Sequence, residues 1–443
     1  MPRTCIALIS LTLVFLSCSA LAAPAPGTLP ATAMPSVLTV PPAAQASDQF
    51  DPVAATDAYL AAMPADARAR SDAYFEGGYW MILWDFLYAV VVCLLLLNLR
   101  WSASMRNLAE RITHFKPLQT IIYWTEYLLL TTALFFPLTV YEEFLRERKY
   151  GLATQTFGPW LGDQGKLLLV NLVLGAILSM MLFGVVRRLQ RTWWIWGAIV
   201  TELFLIFAVL ISPVYLQPLF NKITRLDDPK VTAPILRMAR ANGIPAKDVY
   251  EIDASRQTTR MSANVSGFAN TMRITMNDNL LHRGSLEEIQ AVIGHEMGHY
   301  VLNHVYHGME FFFIVAVAGF AFLRGSLNWS LERWGEKWQI RGVGDTAVLP
   351  LVVLLGSMFF FALTPVMNSF IRSQEHEADM YGLNASRQPD GMAQAAIHLG
   401  EYRKMSPGPL EEWLFYDHPS GRTRIYDAMR WKSENLQFMQ PGQ

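Results

Sequence analysis

The stretch AVIGHEMGHYVLNH, Ala291–His304, decides how the chain is interpreted, because a polar helix face here leads directly into the apolar segment GMEFFFIVAVAGFAFL. His295 and His299 lie about 40° apart around a helix, so both can bind one metal ion. Glu296 stands beside them and can take and return the proton of a metal-activated water. This HExxH pattern is the arrangement of metalloproteases, and it predicts one Zn2+ per chain and hydrolysis of peptide bonds.

The third metal ligand must come from outside this stretch. An extended HExxHxxGxxH site would need glycine at position 302 and histidine at position 305, where Leu302 and Val305 stand. His304 and His307 are therefore interpreted as interfacial or structural side chains that mark where the helix enters the membrane. The helix itself is expected to begin at Ser285, a good N-terminal cap.

A second helix offers the missing ligand in NSFIRSQEHEADMYGL, Asn368–Leu383. Glu375 and Asp379 are four residues apart on one helix face, so Glu375 can complete a His2Glu set while Asp379 orients a ligand histidine. Glu377 points about 200° away from Glu375 and is the weaker choice. The alternative interpretation of these acidic residues is the solvated start of a helix.

The composition indicates a mostly helical, polytopic membrane protein. Of 443 residues, 52% are hydrophobic and 16% are charged, and the hydrophobic residues are gathered into blocks. Each block is close to the length of about 20 residues that a helix needs to cross a bilayer. The helices formed by these blocks are expected to contact membrane lipid. Four membrane helices are predicted within 80–218, a fifth continues the HExxH helix over 286–324, and the sixth covers 346–371.

The remaining segments are also assigned from composition. They are a signal peptide at 1–22, with a first membrane helix as the alternative, a Pro/Ala-rich linker and helical lead-in at 23–79, a soluble subdomain at 219–290 and a soluble C-terminal region at 372–443. The three cysteines, Cys5, Cys18 and Cys93, offer neither a disulfide framework nor a metal site. A net charge of −1 without a basic domain gives no sign of a nucleic-acid partner.

Basic residues in the connections between spans predict the orientation. The connections 100–117, 187–192 and 324–345 are rich in arginine and lysine, which the positive-inside bias assigns to the cytoplasm. With six alternating spans, 219–290 and 372–443 then face the periplasm of a bacterial inner membrane. The connection after the second span does not fit this orientation. It would lie in the periplasm, yet it carries basic residues whose charge is only partly offset by acidic neighbours.

Three carboxylates, Asp85, Glu126 and Glu202, interrupt the apolar blocks. Ionisable residues are costly within a bilayer, so they are expected to face the bundle interior or a wet cavity, or to form hydrogen bonds between helices. They leave open a transporter as an alternative function.

Before the HExxH helix, the stretch RMSANVSGFANTMRITM, Arg260–Met276, predicts two short strands joined through a glycine-containing turn.

The pair HEMGH and IRSQEHEAD, separated by a membrane hairpin, resembles the integral-membrane zinc proteases of the type 1 CAAX prenyl endopeptidase and HtpX-like group, whose pattern is HExxH followed by RxxExxAD. Further segments agree: YEEFLRERKYGLATQTFGPWLGD at 141–163, PLFNK at 218–222, RITMNDNLL at 273–281 and DHPSGRTRI at 417–425. The resemblance covers most of the chain. It implies a helical bundle around a chamber, with a zincin-like catalytic subdomain that carries a small β element.

The resemblance also implies roles for individual residues. The implied zinc ligands are His295, His299 and Glu375, the general base and acid is Glu296, and the supporting residues are Arg372 and Asp379. His418 matches a residue that steadies the substrate or the oxyanion, and Arg424 is the matching distal arginine, placed with the substrate-binding residues. The family strand that pairs with an extended substrate falls at Ser262, Ala263 and Asn264, where the family commonly has Asn-Ala-Tyr.

The function expected from these features is that of a membrane-embedded zinc endopeptidase that cleaves extended or membrane-associated peptides or proteins. Its substrates could be prenylated CaaX tails, as in the family, or misfolded membrane and envelope proteins. A different class of function, a non-catalytic membrane scaffold or chaperone with the same fold, has no need of Glu296.

Overall fold

A computed structural model describes residues 38–267 and 272–438. The predicted signal peptide lies outside the described residues. The helices before the sheet are α1 Pro52–Ala62, α2 Ala65–Asn98, α3 Trp101–Ile112, α4 Lys116–Thr139, α5 Phe157–Arg188 and α6 Trp193–Ile211. The strands and later helices are β1 Ile223–Arg225, α7 Pro229–Ala241, β2 Val249–Ile252, β3 Ala263–Ser266, β4 Arg273–Asn277, α8 Asp278–Arg283, α9 Leu286–Val301, α10 His304–Trp338, α11 Leu349–Ser386, α12 Pro389–Leu399, α13 Pro409–Phe415 and α14 Gly421–Glu434.

Six helices of the described part are long and apolar enough to cross a membrane. They are Ala65–Asn98, Lys116–Lys149, Phe157–Arg188, Trp193–Phe220, His304–Trp338 and Thr346–Ser386. Each overlaps one of the six predicted spans, and the helical membrane fold with a small sheet is confirmed. Two spans include π-helical turns, Val140–Arg146 and Ser212–Leu216, each at or just after a proline that lacks the amide donor of a regular helix.

The four strands form one sheet in the order β1-β2-β4-β3. Strands β2 and β4 are parallel, whereas the two outer pairs are antiparallel, with Ala263 opposite Met276. The predicted strand pair is therefore present as β3 and β4. Ile274 and Met276 of β4 are buried in one cluster with Met297 of α9, so the sheet is fixed beneath the HExxH helix.

The N-terminal segment Leu38–Met63 packs on the C-terminal helices. Helix α1 agrees with the predicted helical lead-in, whereas the packing of the residues before it differs from the predicted linker. Tyr59 is buried and donates to Asp390 at 2.8 Å, and Lys432 donates to the carbonyl of Ala44 at 2.6 Å. Pro/Ala-rich composition suggested that this part could not bury a core, but small side chains allow the segment to lie close against α12 and α14. The two regions therefore lie on the same side of the membrane spans.

The three basic connections meet each other elsewhere in the molecule. Arg106 pairs with Asp345 at 2.5 Å, and Arg187 Nε donates to the carbonyl of Gly344 at 2.9 Å. The connections 100–117, 187–192 and 324–345 thus lie together on one side of the bundle, as alternating spans require.

The intramembrane carboxylates are enclosed by other helices. Asp85 of α2 and Glu202 of α6 are both buried, and one carboxylate oxygen of Glu126 in α4 is buried as well. This is the predicted placement of ionisable residues in membrane spans.

Candidate metal centre

The HExxH helix is held in place at its first turn. Ser285 and Glu288 form a capping box, in which each side chain bonds the backbone of the other residue. The same Glu288 carboxylate, fully buried, lies 2.5 Å from His398 Nδ1 of α12. The start of α9, predicted at Ser285, is thereby tied to the C-terminal region.

Small residues bring α9 against α11. A Cβ added to Gly382 would lie 2.7 Å from the amide nitrogen of His295, and one added to Gly298 would lie 3.0 Å from the Cα of Ala378. Real Cβ atoms essentially never lie within 3.0 Å of another heavy atom, so the two helices can pack at this distance only with glycine at position 382. This close packing allows Glu375 to reach the two histidines of α9.

His295, His299 and Glu375 form a group of three possible metal ligands, the only such group of histidine, cysteine or acidic side chains within residues 38–267 and 272–438. The Nε2 atoms of His295 and His299 are 3.1 Å apart, and they lie 3.3 and 3.4 Å from the two carboxylate oxygens of Glu375. Two nitrogen or oxygen ligands in tetrahedral zinc coordination are about 3.3 Å apart. The side chains present therefore fit a zinc ion in both chemistry and spacing.

The ionisation of the two histidines bears on metal binding. Burial lowers the pKa of His299 to about 4, so its imidazole is neutral, as a metal ligand must be. Burial also disfavours a charged His295, but the nearby Asp379 and Glu375 carboxylates outweigh it and raise the pKa of His295 to about 10. A metal ion held by His295 would take the place of the proton that this value describes.

Glu296 lies on α9 between the two histidines in sequence, and it is partly exposed. Without the charge of a bound cation, burial raises the pKa of Glu296 to about 7, against the positive charges of His295 and Arg424. A bound divalent cation acts in the opposite direction and favours the carboxylate. The group is thus suited to exchange a proton near neutral pH.

Asp379 and Arg424 lie behind His295. The Nδ1 atom of His295 is 2.7 Å from Asp379 Oδ1. Arg424 donates two hydrogen bonds to the same carboxylate, from Nε to Oδ2 at 2.8 Å and from Nη2 to Oδ1. Asp379 therefore lies against the ring nitrogen of His295 that faces away from Glu375. Arg424 was predicted to bind substrate, but it is buried and its guanidinium is engaged by Asp379, so the structure gives it a position that supports a ligand.

His418 approaches the ligand set from the loop before α14. Its Nε2 atom is 3.2 Å from Glu375 Oε2, and its Nδ1 atom is 2.8 Å from Asp417 Oδ1. Arg372 fixes this loop by donating to the carbonyls of Glu412 at 2.9 Å and Tyr416 at 2.5 Å. Sequence reasoning did not single out Asp417, although its position directly before a histidine was the available signal.

The helix break after the HExxH motif differs from the prediction of one helix over 286–324. Helix α9 ends at Val301 and α10 begins at His304, because Asn303 adopts a left-handed conformation with φ of 59°. Asparagine tolerates this conformation better than most residues, so it was the sequence signal for the break. The turn redirects the chain and buries His304, which lies 2.9 Å from His299.

Of the predicted substrate residues, Ala263 and Asn264 begin β3, and Ser262 lies directly before it. Among the described residues, this strand pairs with β4 on one side only, so its other edge is open, and it lies beside α9. Ser262 N donates to Asn277 Oδ1 at 3.1 Å, which fixes the strand at its start. An open strand edge can accept an extended peptide through backbone hydrogen bonds.

Comparisons with known proteins agree with this architecture. Residues 225–432 match peptidase family M48, and residues 55–222 match the family described as CAAX prenyl protease N-terminal, five membrane helices; four of the six spans fall in this range. A protein of Bacillus subtilis named uncharacterized metalloprotease YhfN is 30% identical over 75% of this chain and 78% of its own length. CAAX prenyl protease 1 of Saccharomyces cerevisiae is 28% identical over 69% of this chain and 70% of its own.

A solved structure has the same overall fold. The crystal structure of Ste24p from S. mikatae matches with a TM-score of 0.61 at 20% identity, over 96% of this chain and 97% of that one. Together with the family matches, this confirms the resemblance predicted from HEMGH and IRSQEHEAD. The chain therefore belongs to peptidase family M48, as a membrane metallopeptidase similar to the CAAX prenyl proteases.

Proposed function

We propose that this metallopeptidase is a zinc-dependent endopeptidase of the bacterial inner membrane, which cleaves extended or membrane-associated polypeptides. The observation that carries the proposal is the convergence of His295, His299 and Glu375 at zinc-ligand spacing, with Glu296 on the same helix. A membrane scaffold needs no such set. A transporter would use the carboxylates within the spans, which are distant in sequence from this site.

Zinc held by these three ligands would supply Lewis-acid polarisation of the scissile carbonyl and of the attacking water. Glu296 takes a proton from that water as its oxygen bonds to the carbonyl carbon. The same carboxyl group then gives the proton to the amide nitrogen as the carbon–nitrogen bond breaks. Water is thereby added across one peptide bond, and Glu296 returns to its starting state.

His418 and strand β3 act on the substrate in this proposal. His418 Nε2 lies close to Glu375, within reach of the same space, so it can donate to the carbonyl oxygen as negative charge develops there. The open edge of β3 pairs with the substrate backbone and holds it extended beside α9. Backbone pairing needs no particular side chain, so the sequence Ser-Ala-Asn in place of Asn-Ala-Tyr does not prevent it.

The basic connections and the N-terminal segment support a periplasmic site. The three connections rich in arginine and lysine lie on one side of the bundle, whereas Leu38–Met63 and the C-terminal helices lie together. A periplasmic site does not ordinarily meet prenylated cytoplasmic tails, so we propose unfolded or tail segments of membrane and envelope proteins as substrates. An export-dependent reporter fused after residue 443 should be active; activity of a cytoplasm-dependent reporter at that point contradicts this orientation.

The proposed activity is tested with the purified chain in detergent or proteoliposomes and an unstructured reporter peptide. Hydrolysis is expected, it should stop after zinc is removed by a chelator, and it should return when zinc is added to the dialysed protein. Internal cleavage products, identified by mass spectrometry, distinguish an endopeptidase from an exopeptidase. Hydrolysis that continues after complete removal of zinc contradicts the proposal.

A further inference from the structure

His304 occupies an unusual position for a residue at the start of a membrane helix. Although α10 is apolar farther along, His304 is only 4% exposed, and its Nδ1 atom lies 2.9 Å from His299 Nδ1. Its other ring nitrogen, Nε2, lies 3.2 Å from Glu377 Oε2. His304 thus lies between His299, a proposed zinc ligand, and the carboxylate of Glu377 on α11.

The contacts allow one consistent assignment of protons along this chain of groups. His299 Nε2 faces His295 and Glu375, so it must keep a free electron pair for the metal and carry its proton on Nδ1. That proton is donated to His304 Nδ1. His304 then carries its own proton on Nε2 and donates it to Glu377. Every donor in the chain has an acceptor.

The other ligand histidine is supported in a comparable way by a different group. His295 Nδ1 contacts Asp379 directly, and Arg424 holds that carboxylate. Groups behind metal-binding histidines fix the ring orientation and the tautomer. The Nδ1 atom of His299 contacts His304 instead, so His304 supplies the acceptor that Asp379 supplies for His295.

We propose that His304 is a positioning residue of the metal centre, which orients His299 through its Nδ1 atom and is itself held by Glu377. The proposal rests on the zinc site proposed above and deepens it. The helix break at Asn303 serves this arrangement, because it turns His304 back toward α9, whereas a continuous helix would place His304 about 140° around the axis from His299. Glu377 was predicted to point away from the ligand set. In this proposal it supports His299 indirectly, because it accepts the hydrogen bond of His304.

The measurement is the zinc dissociation constant of the full-length purified protein, obtained by competition with a fluorescent chelator. His304→Leu is expected to weaken zinc binding by about 10–100-fold, the usual effect of losing a supporting group. His304→Asn places an amide oxygen near the position of Nδ1, so it should bind zinc within a few-fold of the unaltered protein. Recovery in this variant separates hydrogen bonding from simple filling of space.

His307→Leu is the matched control, because His307 is the same residue type one turn farther along α10 and is exposed. It should leave zinc affinity unchanged. Thermal unfolding of the zinc-free proteins shows whether each variant is folded, and His304→Asn keeps the test decisive should the leucine variant fail to fold.

Unchanged affinity in His304→Leu, or equal losses in the leucine and asparagine variants, would overturn the positioning role. The proposed function fails separately, through absence of zinc binding or hydrolysis in the unaltered protein. The two failures are therefore distinguishable in the same set of measurements.

Discussion

Glu296→Gln is expected to lower peptide hydrolysis by about 10²–10⁴-fold, the usual contribution of a general acid and base. The amide has nearly the same size and shape as the carboxylate, but it cannot take a proton from water. Glu296 is not part of the ligand group formed by His295, His299 and Glu375, so bound zinc should stay at one ion per chain. The loss should appear in kcat, measured with the reporter peptide under saturating conditions.

Glu287→Gln provides the control, because Glu287 lies on the same helix and is exposed. It should retain full activity and full zinc content. Hydrolysis above about a tenth of the original rate in Glu296→Gln would contradict the assigned role. Loss of zinc from that variant would instead identify Glu296 as a ligand. The inactive variant also retains substrates, so proteins that copurify with it can be identified by mass spectrometry.

Glu375→Ala is expected to remove both zinc and activity. The remaining pair, His295 and His299, supplies only two of the three protein ligands that a catalytic zinc site needs. The loss of affinity should exceed the roughly 10–100-fold that the loss of a supporting residue costs. Zinc per chain, measured by elemental mass spectrometry after gel filtration, should fall from one to near zero.

Glu377→Gln is the comparison that separates the two neighbouring carboxylates. The amide oxygen at position 377 still accepts the proton of His304, so zinc content and hydrolysis should both remain. The opposite pattern, with zinc lost from Glu377→Gln and kept in Glu375→Ala, would exchange the roles of the two residues. Equal retention in both variants would contradict the proposed ligand set.

Local spacing was enough to predict which side chains of the candidate site share a helix face. His295, His299, Glu375 and Asp379 are paired four residues apart on two helices, and helix geometry places each pair on one face. Apolar block lengths likewise predicted the six spans, because the bilayer sets one length for all of them. These are properties that a few turns of chain determine alone.

Contacts between distant segments could not be predicted in the same way. Arg424 is 45 residues from Asp379, and nothing in its own helix indicates that it faces a ligand group. The close approach of α9 and α11 depends on Gly382, whose role appears only once the two helices are packed. The residues before α1 were predicted to form a linker because their composition does not reveal the surface of α12 and α14 that they cover.

The burial of His304 was not predicted because the sequence pattern concealed a break in the helix. The apolar segment after HEMGH favoured one continuous helix, on which His304 and His307 would both lie near the membrane surface. A single residue in the left-handed conformation, Asn303, changes the direction of the chain and separates these two histidines. The spacing of apolar residues does not predict such a break, because apolar residues continue on both sides of it.

Zinc K-edge X-ray absorption on the purified, unaltered protein identifies the atoms that bind the metal, and so tests the proposed ligand set His295, His299 and Glu375. We expect one zinc per chain, bound by two histidine imidazoles and by carboxylate or water oxygens at about 2.0–2.2 Å. The spectrum should lose these features in Glu375→Ala. A sulfur ligand at about 2.3 Å, three histidines, or no bound zinc in active protein would contradict it.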